Sequence, residues 1–106
     1  MSRFAFLASV LESADVPRCR ASVIAIVGFV ARRHGISPAH IYGDSRRPEF
    51  VRPRQQVMWL ADKLGYSSAA IGRELGRDHS TVLHGIKAED KRVAARNARV
   101  NAGAAE

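Results

Sequence analysis

The chain has 106 residues, enough for one small domain with a single core. Its lone cysteine, Cys19, excludes an internal disulfide framework and any site built from paired cysteines. Lys+Arg number 17 against 10 Asp+Glu, a formal charge of +7 and a pI near 10.8, with most cations arginine. That balance points to a polyanionic partner, nucleic acid first and an anionic membrane surface second.

Hydrophobic residues make up 46% and charged residues 25%, the mix of a globular domain rather than a disordered one. Nearly every segment has helical period and none alternates like a strand, so an all-α bundle is expected. Residues 2–13 form a short predicted helix, with Phe4, Leu7 and Leu11 at helical spacing, interrupted by Pro17. The apolar run "ASVIAIVGFVA" is too short to span a bilayer and is followed by "RRHG". Glu12 and Asp15 in the N-terminal stretch argue against a signal peptide, and a cytoplasmic, nucleoid-associated protein is expected.

A longer helix is predicted from about Ala21, with Ile24, Val27 and Ala31 on one stripe and Val23, Ile26 and Val30 on its flank. Gly35 is its expected stop. "ISPAHIYG" signals a helix of one to two turns: Ser37 as N-cap, Pro38 first, Gly43 after the end. "DSRRPEFVRP" reads as a basic loop carrying Arg46, Arg47 and Arg52, broken by Pro48 and Pro53. A helix over 53–64 follows, with Val57, Leu60, Ala61 and Leu64 inward and Gly65 at its end. The next begins at Ser67 or Ser68, turns Ile71 and Leu75 inward, and stops at Gly76. The last clear helix starts at "DHSTVLHGIKA". Beyond it lies an Ala-rich basic stretch without a steady apolar face, read as a fraying helical extension or loose tail over 91–106. A helix pair joined by a tight glycine turn is a helix-turn-helix.

Asp78, His79 and Ser80 are the residue types of a hydrolase triad in consecutive positions. Consecutive helical side chains diverge by about 100°, so the three cannot converge on one reacting atom. No G-x-S-x-G elbow, no zinc-ligand spacing and no phosphate-cradling glycine loop accompanies them. No catalytic residue, metal, nucleotide or other cofactor is therefore expected. On a helical wheel Val82, Leu83 and Ile86 form the core stripe, with Asp78 as N-cap. Arg77, Ser80, Thr81, His84 and Ala88 cluster on the other side. That face is short, polar and free of carboxylates, and a helix N-terminus offers free N–H groups to phosphates. Such a turn can enter a major groove and meet base edges.

The stretch from Arg52 to Ala88 resembles the C-terminal DNA-binding domain of the bacterial replication initiator DnaA. The resemblance rests on Arg52-Pro53-Arg54-Gln55, on Ser68-Ala69-Ala70-Ile71-Gly72, and on the run Arg77 to His84, R-D-H-S-T-V-L-H. It covers roughly residues 20–90, between a short N-terminal helix and linker (1–19) and the basic tail. It implies an all-α, Trp-repressor-like helix-turn-helix bundle that binds initiator boxes in double-stranded DNA. Asp78, His79, Ser80 and Thr81 would read bases in the major groove, and Arg46 would enter the adjacent minor groove. Arg54, Gln55, Ser67 or Ser68, Arg77, Thr81 and His84 would hold phosphates. By wheel angle His79 also falls on the apolar side, so a place at the edge of the core stays open for it. The family usually has a doubled glycine before the R-D-H run, where only Gly76 stands here, and Asp62 takes the place of a basic residue. With 106 residues there is no room for the initiator's ATPase module. The expectation is a non-enzymatic, stand-alone box reader that regulates transcription or replication initiation. The alternative is an adaptor that contacts replication-initiation proteins through the helix at 2–13, with no membrane contact in either case.

Overall fold

Val23, Ile26, Val27, Val30 and Ala31 repeat at three- and four-residue spacing and are all buried, which makes the first helix a core element. The computed structural model describes residues 20–104. Among them the backbone forms five helices and no strand: α1 Arg20–His34, α2 Pro38–Tyr42, α3 Pro48–Lys63, α4 Ser68–Leu75 and α5 His79–Ala104. The predicted helix at 2–13, Cys19 and the adaptor reading built on that helix lie outside the described residues.

α3 is the axis of the bundle. It packs on α1 through one face and on α5 through another, burying Val57, Met58 and Ala61. α4 contributes Ile71 and Leu75, α5 contributes Val82 and Ile86, and Ile41 of α2 is fully buried. Each such side chain contributes about 1.5–3 kcal/mol through removal from water. The C-terminal end of α3 is tied to the middle of α5 by polar contacts. Trp59 Nε1–H donates to Asp90 Oδ1 at 2.6 Å, Lys63 Nζ lies 3.8 Å from the same carboxylate oxygen, and Lys63 sits 5.3 Å above the indole.

Two differences from the sequence expectation have local causes. α3 opens at Pro48, with Arg47 as N-cap, so the loop shrinks to Gly43–Arg47 and Pro53 lies inside the helix. The hydrogen bond that Pro53 cannot donate would have gone to Glu49, whose carbonyl is in the exposed first turn where water serves. Ile24 is 49% exposed, because the buried stripe of α1 runs along the flank set by Val23, Val27 and Val30. Of the two readings of the basic stretch from Lys91, helical extension or loose tail, the backbone follows the first, since α5 continues unbroken to Ala104.

Two glycines fix the α4–α5 junction. Gly76 has φ 68°, the left-handed conformation that ends α4, and Arg77 N–H returns to Gly72 O at 2.8 Å. A Cβ on Gly72 would overlap the Arg77 carbonyl oxygen, which is backbone and cannot swing away. Gly72→Ala should therefore lower stability by about 1–3 kcal/mol in urea unfolding. Gly28→Ala, with nothing within 4 Å of the added methyl, should raise it by about 0.5–1 kcal/mol.

Candidate nucleic-acid interface

The first turn of α5 is built by its cap. Asp78 Oδ1 accepts from Thr81 N–H at 2.7 Å, and Val82 N–H reaches Asp78 O at 3.2 Å. The Thr81 backbone N–H, and then its hydroxyl, hold the Asp78 carboxyl below its ordinary range. A lowered carboxyl pKa stabilises the fold above the unfolded-state value, and that contribution is lost as pH falls through the folded-state value. The cap thus stays ionised at neutral pH.

Around this cap, His79, Ser80, Thr81 and His84 are all exposed. The exposure of His79 closes the alternative of a place at the edge of the core. Leu83 corrects the predicted core stripe: it is 44% exposed, four residues after His79 on the same side of the helix. Val82 and Ile86 alone carry the buried stripe in these turns.

Two arginines behave differently from the expectation. Arg54, expected on phosphate, is 6% exposed. Its Nε donates to Ile41 O at 2.9 Å, Nη1 to Ser45 O at 3.0 Å and Nη2 to His40 O at 2.9 Å. Burial first, and then the charge of Arg77, pull its pKa down, while Asp44 opposes them. It remains a guanidinium, which does not deprotonate in proteins. Arg77 is half-buried and also turned inward. Its Nη1 donates to Leu75 O at 2.8 Å and reaches Tyr42 O at 3.5 Å, and its Nη2 donates to Gly43 O. Both guanidinia are occupied by backbone carbonyls rather than held out toward a phosphate.

Their targets decide what this does. Arg54 and Arg77 between them take the carbonyls of His40, Ile41, Tyr42, Gly43 and Ser45. That segment ends one residue before Arg46, which is exposed. Arg77 itself is one residue before Asp78. The clamp therefore fixes the loop carrying Arg46 beside the first turn of α5. His40 stacks on Phe50 with ring centroids 4.1 Å apart and closes the same joint from the α3 side.

The remaining predicted residues sit as follows. Gln55 is half-buried, and its amide oxygen accepts from Arg92 Nη1 at 2.6 Å, leaving its NH2 group as a donor. Ser67 is the N-cap of α4, accepting from Ala70 N–H at 3.1 Å, and Ser68 is the first residue of the helix. The choice left open between the two is settled in favour of Ser67 as the cap. Among the described residues no group of three metal-ligating side chains occurs, and no helix is long and apolar enough to cross a membrane.

An eight-residue helix, a three-residue turn with a left-handed glycine, and a second helix with an exposed polar first turn define a helix-turn-helix domain of the DNA-binding class. Residues 23–88 match the family described as the bacterial dnaA protein helix-turn-helix, and the chain belongs to that family. The chain is 43% identical over 88 residues to chromosomal replication initiator protein DnaA 2 of Chlamydia caviae, which covers 82% of this chain and 19% of the relative. It is 46% identical over 63 residues to DnaA of Thermomicrobium roseum, covering 58% and 14%. For DnaA of Caulobacter vibrioides the figures are 42% over 59 residues, covering 54% and 12%. The chain thus spans a fifth or less of the length of these relatives. No solved structure matches it.

The clamp and the cap separate by mutation. Arg54→Ala should lower stability by about 2–5 kcal/mol, since several carbonyls lose their donor at once. Arg54→Lys should not restore it, because an ammonium cannot span the same fork. Thermal unfolding followed by circular dichroism checks both. A phosphate role would instead leave the melting temperature unchanged. Asp78→Ala should speed amide hydrogen exchange at Ser80–Val82, while Asp78→Asn, a good N-cap in its own right, should leave it near wild type.

Proposed function

We propose that this chain reads DnaA-box-like sites in double-stranded DNA. The observation that carries the reading is the Arg54–Arg77 clamp, which presents Arg46 and the capped turn 78–81 together as two exposed prongs. The first turn of α5 enters the major groove. There the free oxygen of Asp78 accepts from an exocyclic amine, His79 and Ser80 donate to or accept from base edges, and the Thr81 methyl meets a thymine methyl. Leu83 provides an apolar surface for a thymine methyl one turn further on. Arg46 inserts into the adjacent minor groove, where a narrow, electronegative floor favours a guanidinium. The NH2 group of Gln55, Ser67 with the free N–H groups opening α4, the Thr81 hydroxyl and His84 contact phosphates and set the register. No nucleotide and no metal enters this mechanism. Occupancy of such a site regulates transcription or replication initiation, or competes with a full-length initiator for the box.

Fluorescence anisotropy with a box duplex and a scrambled duplex tests the reading. At physiological salt the box should be preferred by at least about 10³-fold. His79→Ala, Ser80→Ala and Leu83→Ala should each cut that preference, by about 1–3 kcal/mol where a bidentate contact is lost, with little change in binding to the scrambled duplex. Equal affinity of the wild type for both duplexes would end the case for sequence reading.

A further inference from the structure

A shallow groove lies away from the reading turn. Arg52 of α3 lines it together with Lys91, Arg92, Ala95, Arg96 and Arg99 of α5. Arg52, Lys91, Arg96 and Arg99 are exposed. None of these four makes an ion pair with a carboxylate among the described residues. Residues 91–104 contain no Asp or Glu. Asp90 is engaged with Trp59 and Lys63. The buried carboxylate of Glu89 lies 3.2 Å from Arg92, and Gln55 holds the same Nη1 at 2.6 Å. Arg92 is thus fixed in place, and the cations around it have no ion-pair partner among the described residues. A solvated helix face more often alternates signs, with Glu and Lys paired at four-residue spacing. Here the like charges at 92, 96 and 99 repel one another, and an external anion relieves that repulsion.

The spacing points to a polyanion rather than a single phosphate. Lys91 to Arg99 spans about 12 Å along the helix axis, at about 1.5 Å per residue. A duplex carries a phosphate about every 3.4 Å of axis on each strand. The groove also continues the proposed phosphate side of the reading helix. At about 100° per residue, Thr81, Ala88, Arg92 and Arg99 fall within a sector of about 40°. Gln55, placed on phosphate above, is bonded to Arg92. Because α5 is one helix from His79 to Ala104, the strip is held rigidly relative to the turn that meets the bases.

We propose that Arg52, Lys91, Arg96 and Arg99, arranged around Arg92, form a second, sequence-independent phosphate strip that holds the duplex flanking the box. This rests on the box-reading function above. Along α5 the strip lies about 15–27 Å beyond Thr81, outside the turn that meets the bases.

The test uses the full chain and the variant Lys91→Ala/Arg96→Ala/Arg99→Ala, whose melting curve should match wild type because the replaced side chains are exposed. Anisotropy titrations over a salt series use two duplexes. One ends within about two base pairs of the box, and the other extends about ten base pairs beyond it on each side. The wild type should bind the long duplex about tenfold or more tighter than the short one. The triple variant should lose that gain, with a salt slope on the long duplex shallower by about 2–3 and nearly unchanged on the short one. Replacing the flanking sequence should alter nothing. Equal wild-type affinity and slope on both duplexes would overturn the strip while leaving box reading intact. So would a variant weakened equally on both, which would place these cations at the box itself. A wild type that bound neither duplex would overturn the box reading and, with it, the strip.

Discussion

Two arginines turned inward hold the interface together. A connecting loop is by default a mobile element, because it buries little apolar surface and its backbone hydrogen bonds face water. The segment 40–45 escapes that default. Five of its carbonyls are taken by Arg54 and Arg77, which come from the middle of the chain and from the turn between α4 and α5. The guanidinium suits this work because it is planar, carries five donors and stays charged when buried. Burial first, and then repulsion from the neighbouring Arg77 guanidinium, lower the pKa of Arg54. The carbonyl dipoles around them offset that repulsion. The result is a joint that ties the segment before Arg46 to the residue before the Asp78 cap.

Much of this fold was legible in the sequence because it is written in local signals. Ser37, Pro38, Gly43, Ser67 and Gly76 all stand at the helix ends that capping chemistry assigns them. The inward face of α3 followed from Val57 and Ala61 at helical spacing. What local signals could not settle was the partner of each arginine. An R-P-R-Q run and an R-D-H run both look like phosphate-binding text, yet the arginine of interest in each turns to carbonyls distant in sequence. Arg54 reaches back 14 residues to His40, and Arg77 reaches 34 residues to Gly43. Composition records that a cation is present, and only the tertiary fold decides whether it faces solvent. The same limit misplaced Leu83, since a wheel shows which residues share a face but not how wide a sector the neighbouring helices cover.

The start of α3 shows how a strong local rule yields to packing. Proline inside a helix costs a hydrogen bond and crowds the preceding turn. At Pro53 the orphaned acceptor lies in the solvated first turn, while the ring itself is fully buried. Moving the helix start from Pro53 back to Pro48 adds five residues to α3, places Phe50 against His40 and brings Arg52 onto the rigid helix. Without that extension Arg52 would hang in the loop, and the cationic groove on α5 would lack its lining residue from α3.

Arginine therefore does two opposed jobs in one small domain, and burial separates them. Where the guanidinium is enclosed by carbonyls, at Arg54 and Arg77, its charge is consumed in building the scaffold. Where it stands on a helix face without a carboxylate, at Arg96 and Arg99, its charge remains available over the range set by ionic strength, about 8 Å in physiological salt. The net charge of +7 overstates the first group and understates the second. Only the exposed set is open to a phosphate backbone. That set lies on two rigid supports, the clamped loop and the continuous helix α5, so its geometry is fixed by the same packing that makes the inward arginines unavailable.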